Sequence, residues 1–153
     1  MILALWKSSL RSVALSIVVL AGLQSNVSAQ TTSPEVKWLS SARQASELAR
    51  QTGRPILIYV RSETCHFCDL MQRDVWSEPK TAEVIMREFV PLKLNREQNA
   101  EAVKAMKVKG FPSTLLFSPN HDYIGRLDGY LNNHEFLRAI SNLRAEAYLD
   151  SGE

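Results

Sequence analysis

Apolar positions recur along this chain at two periods, and the switching between them marks out the elements. Ala42, Ala45, Leu48 and Ala49 fall at helical spacing between Ser41 and Gly53. That spacing predicts an amphipathic helix to about Thr52, capped by Ser40 or Ser41 and closed by a glycine. Ile56-Leu57-Ile58-Tyr59-Val60 follows Pro55 as an almost unbroken apolar run, the mark of a central strand covered on both faces. A helix with Leu70, Met71 and Val75 turned inward comes next. Ser77-Glu78-Pro79 interrupts it, with Ser77 able to cap and Pro79 tolerated in a first turn. The renewed helix reaches about Glu88 and turns Val84 and Ile85 inward. A strand is expected from Phe89 to Leu94, then a helix from Gln98 to Lys107 burying Ala102, Val103 and Met106. The turn at 108–112 leads to a strand at 114–117. Ser118-Pro119-Asn120-His121-Asp122 makes a hairpin-like turn into a strand at 123–127. Asn132 or Asn133 caps a last helix that buries Phe136, Leu137, Ile140 and Leu143. With a short edge strand at Lys37-Trp38-Leu39, the order is β-α-β-α-β-α-β-β-α. A parallel first half and a hairpin second half indicate an α/β fold, a mixed β-sheet sandwiched by helices.

The first residues break this pattern. Lys7 and Arg11 are the only charges in residues 1–29, Ser12 to Leu23 is apolar, and Val27-Ser28-Ala29 offers small residues before Gln30. This three-part pattern predicts a cleaved signal peptide over 1–29. The apolar run is shorter than the roughly 20 residues that span a bilayer, so no stable membrane anchor is expected. Residues 30–36 then read as a flexible mature N-terminus, 37–148 as one domain and 149–153 as a C-terminal tail. The whole chain of 153 residues has 18 basic and 16 acidic residues. Without Lys7 and Arg11 the count is 16 against 16, a net charge of zero. No basic stripe remains to follow a phosphate backbone, which argues against nucleic acid as a partner.

Both cysteines lie three apart in Ser62-Glu63-Thr64-Cys65-His66-Phe67-Cys68-Asp69, directly after the central strand. A Cys-x-x-Cys that opens a helix sets its first thiol beside free backbone N–H groups and the positive end of the helix dipole. That environment favours the thiolate, the attacking species in disulfide exchange. Cys68 lies one turn inward, close enough to close a small ring. A bridge over two intervening residues restrains the unfolded chain little, so a redox role is favoured over a structural one. Zinc would need about four ligands; only His66, His121 and His134 accompany the two thiols, and no metal is expected. Covalent haem needs histidine after the second cysteine, where Asp69 stands.

Several separated stretches together resemble the thioredoxin superfamily over roughly Trp38 to Leu143. They are Cys65-His66-Phe67-Cys68 after the second strand, Lys93-Leu94-Asn95 with Glu97-Gln98-Asn99, Gly110-Phe111-Pro112-Ser113-Thr114 with its strand, and Gly129 before the last helix. Cys68-Asp69-Leu70-Met71, Trp76-Ser77-Glu78-Pro79 and Gly129-Tyr130-Leu131 with Phe136 are similar to exported bacterial members, the C-terminal domain of the disulfide-interchange protein DsbD among them. The resemblance implies a thioredoxin fold with a cis-proline loop at Pro112. It implies a thiol–disulfide oxidoreductase in which Cys65 is the exposed nucleophile and Cys68 the buried resolving thiol. His66 and Phe67 would tune the redox poise, and Phe111 with Pro112 would bind an extended substrate segment. Thioredoxins carry a buried acid six residues before the first cysteine, where this chain has Tyr59; Lys93 matches that acid's basic partner. Thr64 replaces the usual tryptophan before the first cysteine.

The expected protein is therefore an exported monomer, in a bacterial periplasm, exchanging thiols and disulfides with protein substrates in the reductive or isomerising direction. No nucleotide or flavin motif is present, so no cofactor is expected, and a membrane electron donor of the disulfide-interchange type is implied. The alternative is a thioredoxin-fold module that binds client proteins while its cysteines are dispensable.

Overall fold

The computed structural model describes residues 35–150, with side chains to residue 147. The leader expected over 1–29, and all but the end of the 30–36 segment, lie outside the described residues. The elements are α1 (Ala42–Thr52), β1 (Ile56–Arg61), α2 (His66–Met71), a π-helical turn at Gln72–Trp76, α3 (Pro79–Glu88), β2 (Val90–Asn95), α4 (Ala100–Ala105), β3 (Ser113–Phe117), β4 (Tyr123–Asp128) and α5 (Asn133–Asp150). The strands form one sheet in the order β2-β1-β3-β4. β1 pairs parallel with β2, while β1 with β3 and β3 with β4 are antiparallel. This is the mixed sheet that the thioredoxin resemblance implies.

Side-chain alternation along β1 separates two cores. Leu57 and Tyr59 face Met71, Val75, Trp76, Ile85, Phe136 and Ile140, the inner faces of α2, the π turn, α3 and α5. Ile56, Ile58 and Val60 face Ala45 and Ala49 of α1 and Val103 of α4. Both faces of β1 are thus dry, which is why its sequence is continuously apolar. Each such side chain contributes about 1.5–3 kcal/mol of burial. Together they fix the C-terminal end of β1, from which the cysteine loop departs.

The helix ends follow local chemistry. The Ser41 side chain accepts from the Gln44 amide (3.4 Å), and Gly53 closes α1 with φ +67°. Asn132 caps α5 reciprocally. Its Oδ1 accepts from Glu135 N–H (3.0 Å), and Glu135 Oε2 accepts from Asn132 N–H (3.2 Å), a capping box.

Several expectations are corrected. The edge strand at Lys37-Trp38-Leu39 is a single parallel bridge from Leu39 to Leu92. Ser77 does not cap α3; its hydroxyl turns back to the Gln72 carbonyl (2.8 Å), which also accepts from the Ser77 amide (3.0 Å). Ala42 and Ala102 are exposed, and Leu70 and Val84 are half-buried. α5 runs two residues into the expected tail. Among the described residues no helix is long and apolar enough to cross a membrane.

Candidate functional site

Cys65 caps α2 in an extended conformation (φ −136°, ψ 95°). It is bonded to Cys68 with a Cα–Cα separation of 5.2 Å. The Cys68 amide donates to the Cys65 sulfur (3.1 Å) and lies 3.0 Å from the Cys65 carbonyl. Cys65 is partly exposed and Cys68 has no exposed surface. The Cys65 sulfur thus meets an amide donor on a partly exposed residue, while Cys68 lies on the core side. On reduction, the Cys68 amide would stabilise a thiolate at Cys65. Among the described residues no group of three or more His, Cys, Asp or Glu side chains is placed to hold a metal.

Beneath the pair lies Tyr59, fully buried, whose hydroxyl donates to the Cys68 carbonyl (3.3 Å). Burial pushes its phenol above the usual tyrosine range, partly offset by the neighbouring Trp76 indole and the Arg61 charge. The indole N–H has no hydrogen-bond acceptor among the described residues. Trp76 and Trp38 pack on Tyr59 with ring centroids 4.9 and 5.6 Å away. The π turn makes this possible. Its extra residue lets consecutive Val75 and Trp76 both turn inward, and Trp76 meets Phe136 edge-on at 4.8 Å. Lys93 pairs with Tyr59 across the parallel ladder. Its ammonium lies over the Trp38 ring at 5.2 Å. Burial, and then the Arg61 charge, hold it below the usual lysine range.

Around the rim the side chains divide into two groups. His66 and Phe67 are exposed, Phe67 by 55%, and their rings touch edge-on at 5.7 Å. Phe67 also faces Tyr130 at 6.4 Å. Tyr130 is fixed by donating to Asp74 (2.9 Å). On the other side, Phe111 and Pro112 join α4 to β3 through a cis peptide bond. Pro112 precedes the first residue of β3, and Ser113 is in register with Val60 of β1. The proline loop thus lies at the end of the sheet that carries the cysteine loop.

Cys65, Cys68, Tyr59, Lys93, His66, Phe67, Phe111 and Pro112 are all at this end of the sheet. Sequence reasoning passed over the ties that hold them. Arg61 pairs with Asp69 at 3.1 Å, bracing the strand end against α2. Glu97 Oε2 accepts from the Glu63 amide (3.2 Å), and Glu97 also pairs with Arg96 (3.1 Å), whose guanidinium lies over Phe111 at 5.7 Å. The charges flanking the motif were the available signal, but their partners lie on other elements.

Comparison with known proteins agrees with this geometry. A structure titled DsbH oxidoreductase superposes with a TM-score of 0.66 at 15% identity, over 80% of this chain and 94% of that one. A thioredoxin from Thermus thermophilus gives 0.64 at 26% identity, over 74% and 88%. The architecture is the thioredoxin fold. Human spermatogenesis-associated protein 20 is 25% identical over 93 residues, 56% of this chain and 12% of that protein. The chain thus spans about an eighth of the length of that curated relative. The Thioredox_DsbH family pattern, described as "Protein of unknown function, DUF255", matches residues 19–124. With most of the chain inside that match and the fold in agreement, the protein belongs to the Thioredox_DsbH family.

Proposed function

We propose that this protein is a thiol–disulfide oxidoreductase acting on protein substrates, in the reductive or isomerising direction. The observation that carries the reading is the asymmetry of the Cys65–Cys68 pair. In the reduced protein, the Cys65 thiolate attacks one sulfur of a substrate disulfide. That bond breaks, the other substrate sulfur leaves as a thiolate, and a Cys65–substrate mixed disulfide forms. Deprotonated Cys68 then attacks the Cys65 sulfur and releases the second substrate thiolate, which takes up a proton. The Cys65–Cys68 bond reforms, and two electrons have passed to the substrate.

Phe111 and Pro112 serve in this reading as the edge on which an extended substrate segment lies, a form of strand addition. Tyr59 positions Cys68 through its carbonyl, and Lys93 supplies a cation on the same face. His66 and Phe67 set the poise between the two sulfurs. The charged leader pattern and the resemblance to exported relatives support work in a bacterial periplasm, where the protein would act as a monomer. A membrane protein of the disulfide-interchange type would return it to the reduced state.

Single-turnover exchange with a disulfide-bonded protein tests the reading. Cys68→Ser should accumulate a mixed disulfide visible on non-reducing gels, and Cys65→Ser should form none. Full activity of the double Cys→Ser variant in a client-binding assay, with no exchange by the native chain, would favour a binding module instead.

A further inference from the structure

A groove of about 670 Å3 opens beside the proline loop, lined by Arg96, Val103, Lys104, Lys107, Lys109 and Phe111. A second, of about 700 Å3, shares Lys107 and Lys109 and adds Arg126. Arg96 and Arg126 are matched by Glu97 and Asp128. Lys104, Lys107 and Lys109 have no ion pair among the described residues. Glu97, the acid in the lining, is already held by Arg96 and the Glu63 amide.

Lys107 is placed with particular constraint. It adopts φ +56° at the end of α4. Its amide bonds to the Lys104 carbonyl, and the Val108 amide bonds to the Val103 carbonyl, a Schellman closure whose left-handed position usually holds glycine. A lysine there costs about 1 kcal/mol against glycine.

Glu97 of the groove lining is tied to the cysteine loop. Glu63, two residues before Cys65, is tied to Glu97. Glu97 holds Arg96, and Arg96 covers Phe111. From these contacts we infer that the groove along α4 receives an acidic segment of the protein substrate, lying beside the disulfide that Cys65 attacks. The inference rests on the proposed exchange at Cys65. Three free ammonium groups over a floor of Val103 and Phe111 suit a short stretch of Asp or Glu with apolar neighbours. They are few for a nucleic-acid backbone, which needs a longer run of cations and aromatic platforms.

The test compares three disulfide-bonded peptides of one length, with acidic, neutral or basic residues flanking the cystine, and oxidised glutathione as a small substrate. The native chain should exchange with the acidic peptide about tenfold faster than with the neutral one, an advantage that shrinks as salt rises. The variant K104Q/K107Q/K109Q, its fold checked by circular dichroism, should lose that advantage and keep its rate on the neutral peptide and glutathione. Equal native rates on acidic and neutral peptides would overturn the inference and leave the oxidoreductase reading standing. An unlabelled oligothymidine that displaces a cysteine-free acidic peptide at lower concentration than the peptide itself would also overturn it. No exchange with any substrate, glutathione included, would remove the underlying reading and this inference with it.

Discussion

Tyr59 shows how one residue changes the chemistry around a buried thiol. In the place of a carboxylate it supplies a neutral phenol, pushed above 10.0 by burial, that donates to the Cys68 carbonyl. It cannot serve as a base at neutral pH. Its neighbour Lys93 carries the nearby titration. Burial and Arg61 hold the ammonium below the ordinary 10.5. Between its folded and unfolded values the native state binds fewer protons than the unfolded chain, so stability rises with pH across that window. The sign follows from desolvation: the charge is least welcome when folded, and raising the pH removes it. Lys93→Met should flatten the rise, read by urea unfolding at increasing pH below the ordinary lysine value of 10.5. An unchanged slope would show that Lys93 does not carry it. The sequence marked both positions, Tyr59 by its distance before Cys65 and Lys93 by its strand. It could not show the Trp38 ring under the ammonium, because Trp38 reaches it from outside the sheet.

Elements bring the site together through contacts that local sequence does not encode. The helix break at Ser77-Glu78-Pro79 was legible, since proline forbids continuation. The π turn before it was not, because one extra residue leaves the apolar spacing readable as an ordinary helix. Its effect is large: Val75 and Trp76 are both buried, and Trp76 joins Tyr59 to Phe136 of α5. Gly125 of β4 was likewise passed over. A Cβ built there would lie 2.6 Å from Leu143 Cδ2, so α5 seats where β4 has no side chain. Gly125→Ala forces Leu143 to shift and should cost about 1–3 kcal/mol in urea unfolding. The expectation is worse for valine, and a neutral alanine would show that Leu143 turns aside freely.

Across the whole molecule the mixed character of the sheet and its central strand are what the sequence made most legible. The continuous apolar run of β1 announced a central strand. The hairpin signals after Phe117 pointed to β4 beside β3, and the structure puts β4 at the edge. The exposed ends of α4 and the lysines around them were read only as helix and turn, since nothing local says which charges find partners. Cys65 and Cys68 gain their asymmetry from the same organisation. β1 ends at the surface, α2 turns back over Tyr59, and only the first sulfur remains accessible. The account stands on that pair being a working redox couple. Equilibrating the chain against glutathione buffers, with thiols counted by alkylation and mass, measures it directly. A single reversible two-electron couple near the thioredoxin value of about −270 mV is the expected result. A disulfide that never exchanges would contradict the account, and a couple near the strongly oxidising value of about −120 mV would contradict its reductive direction.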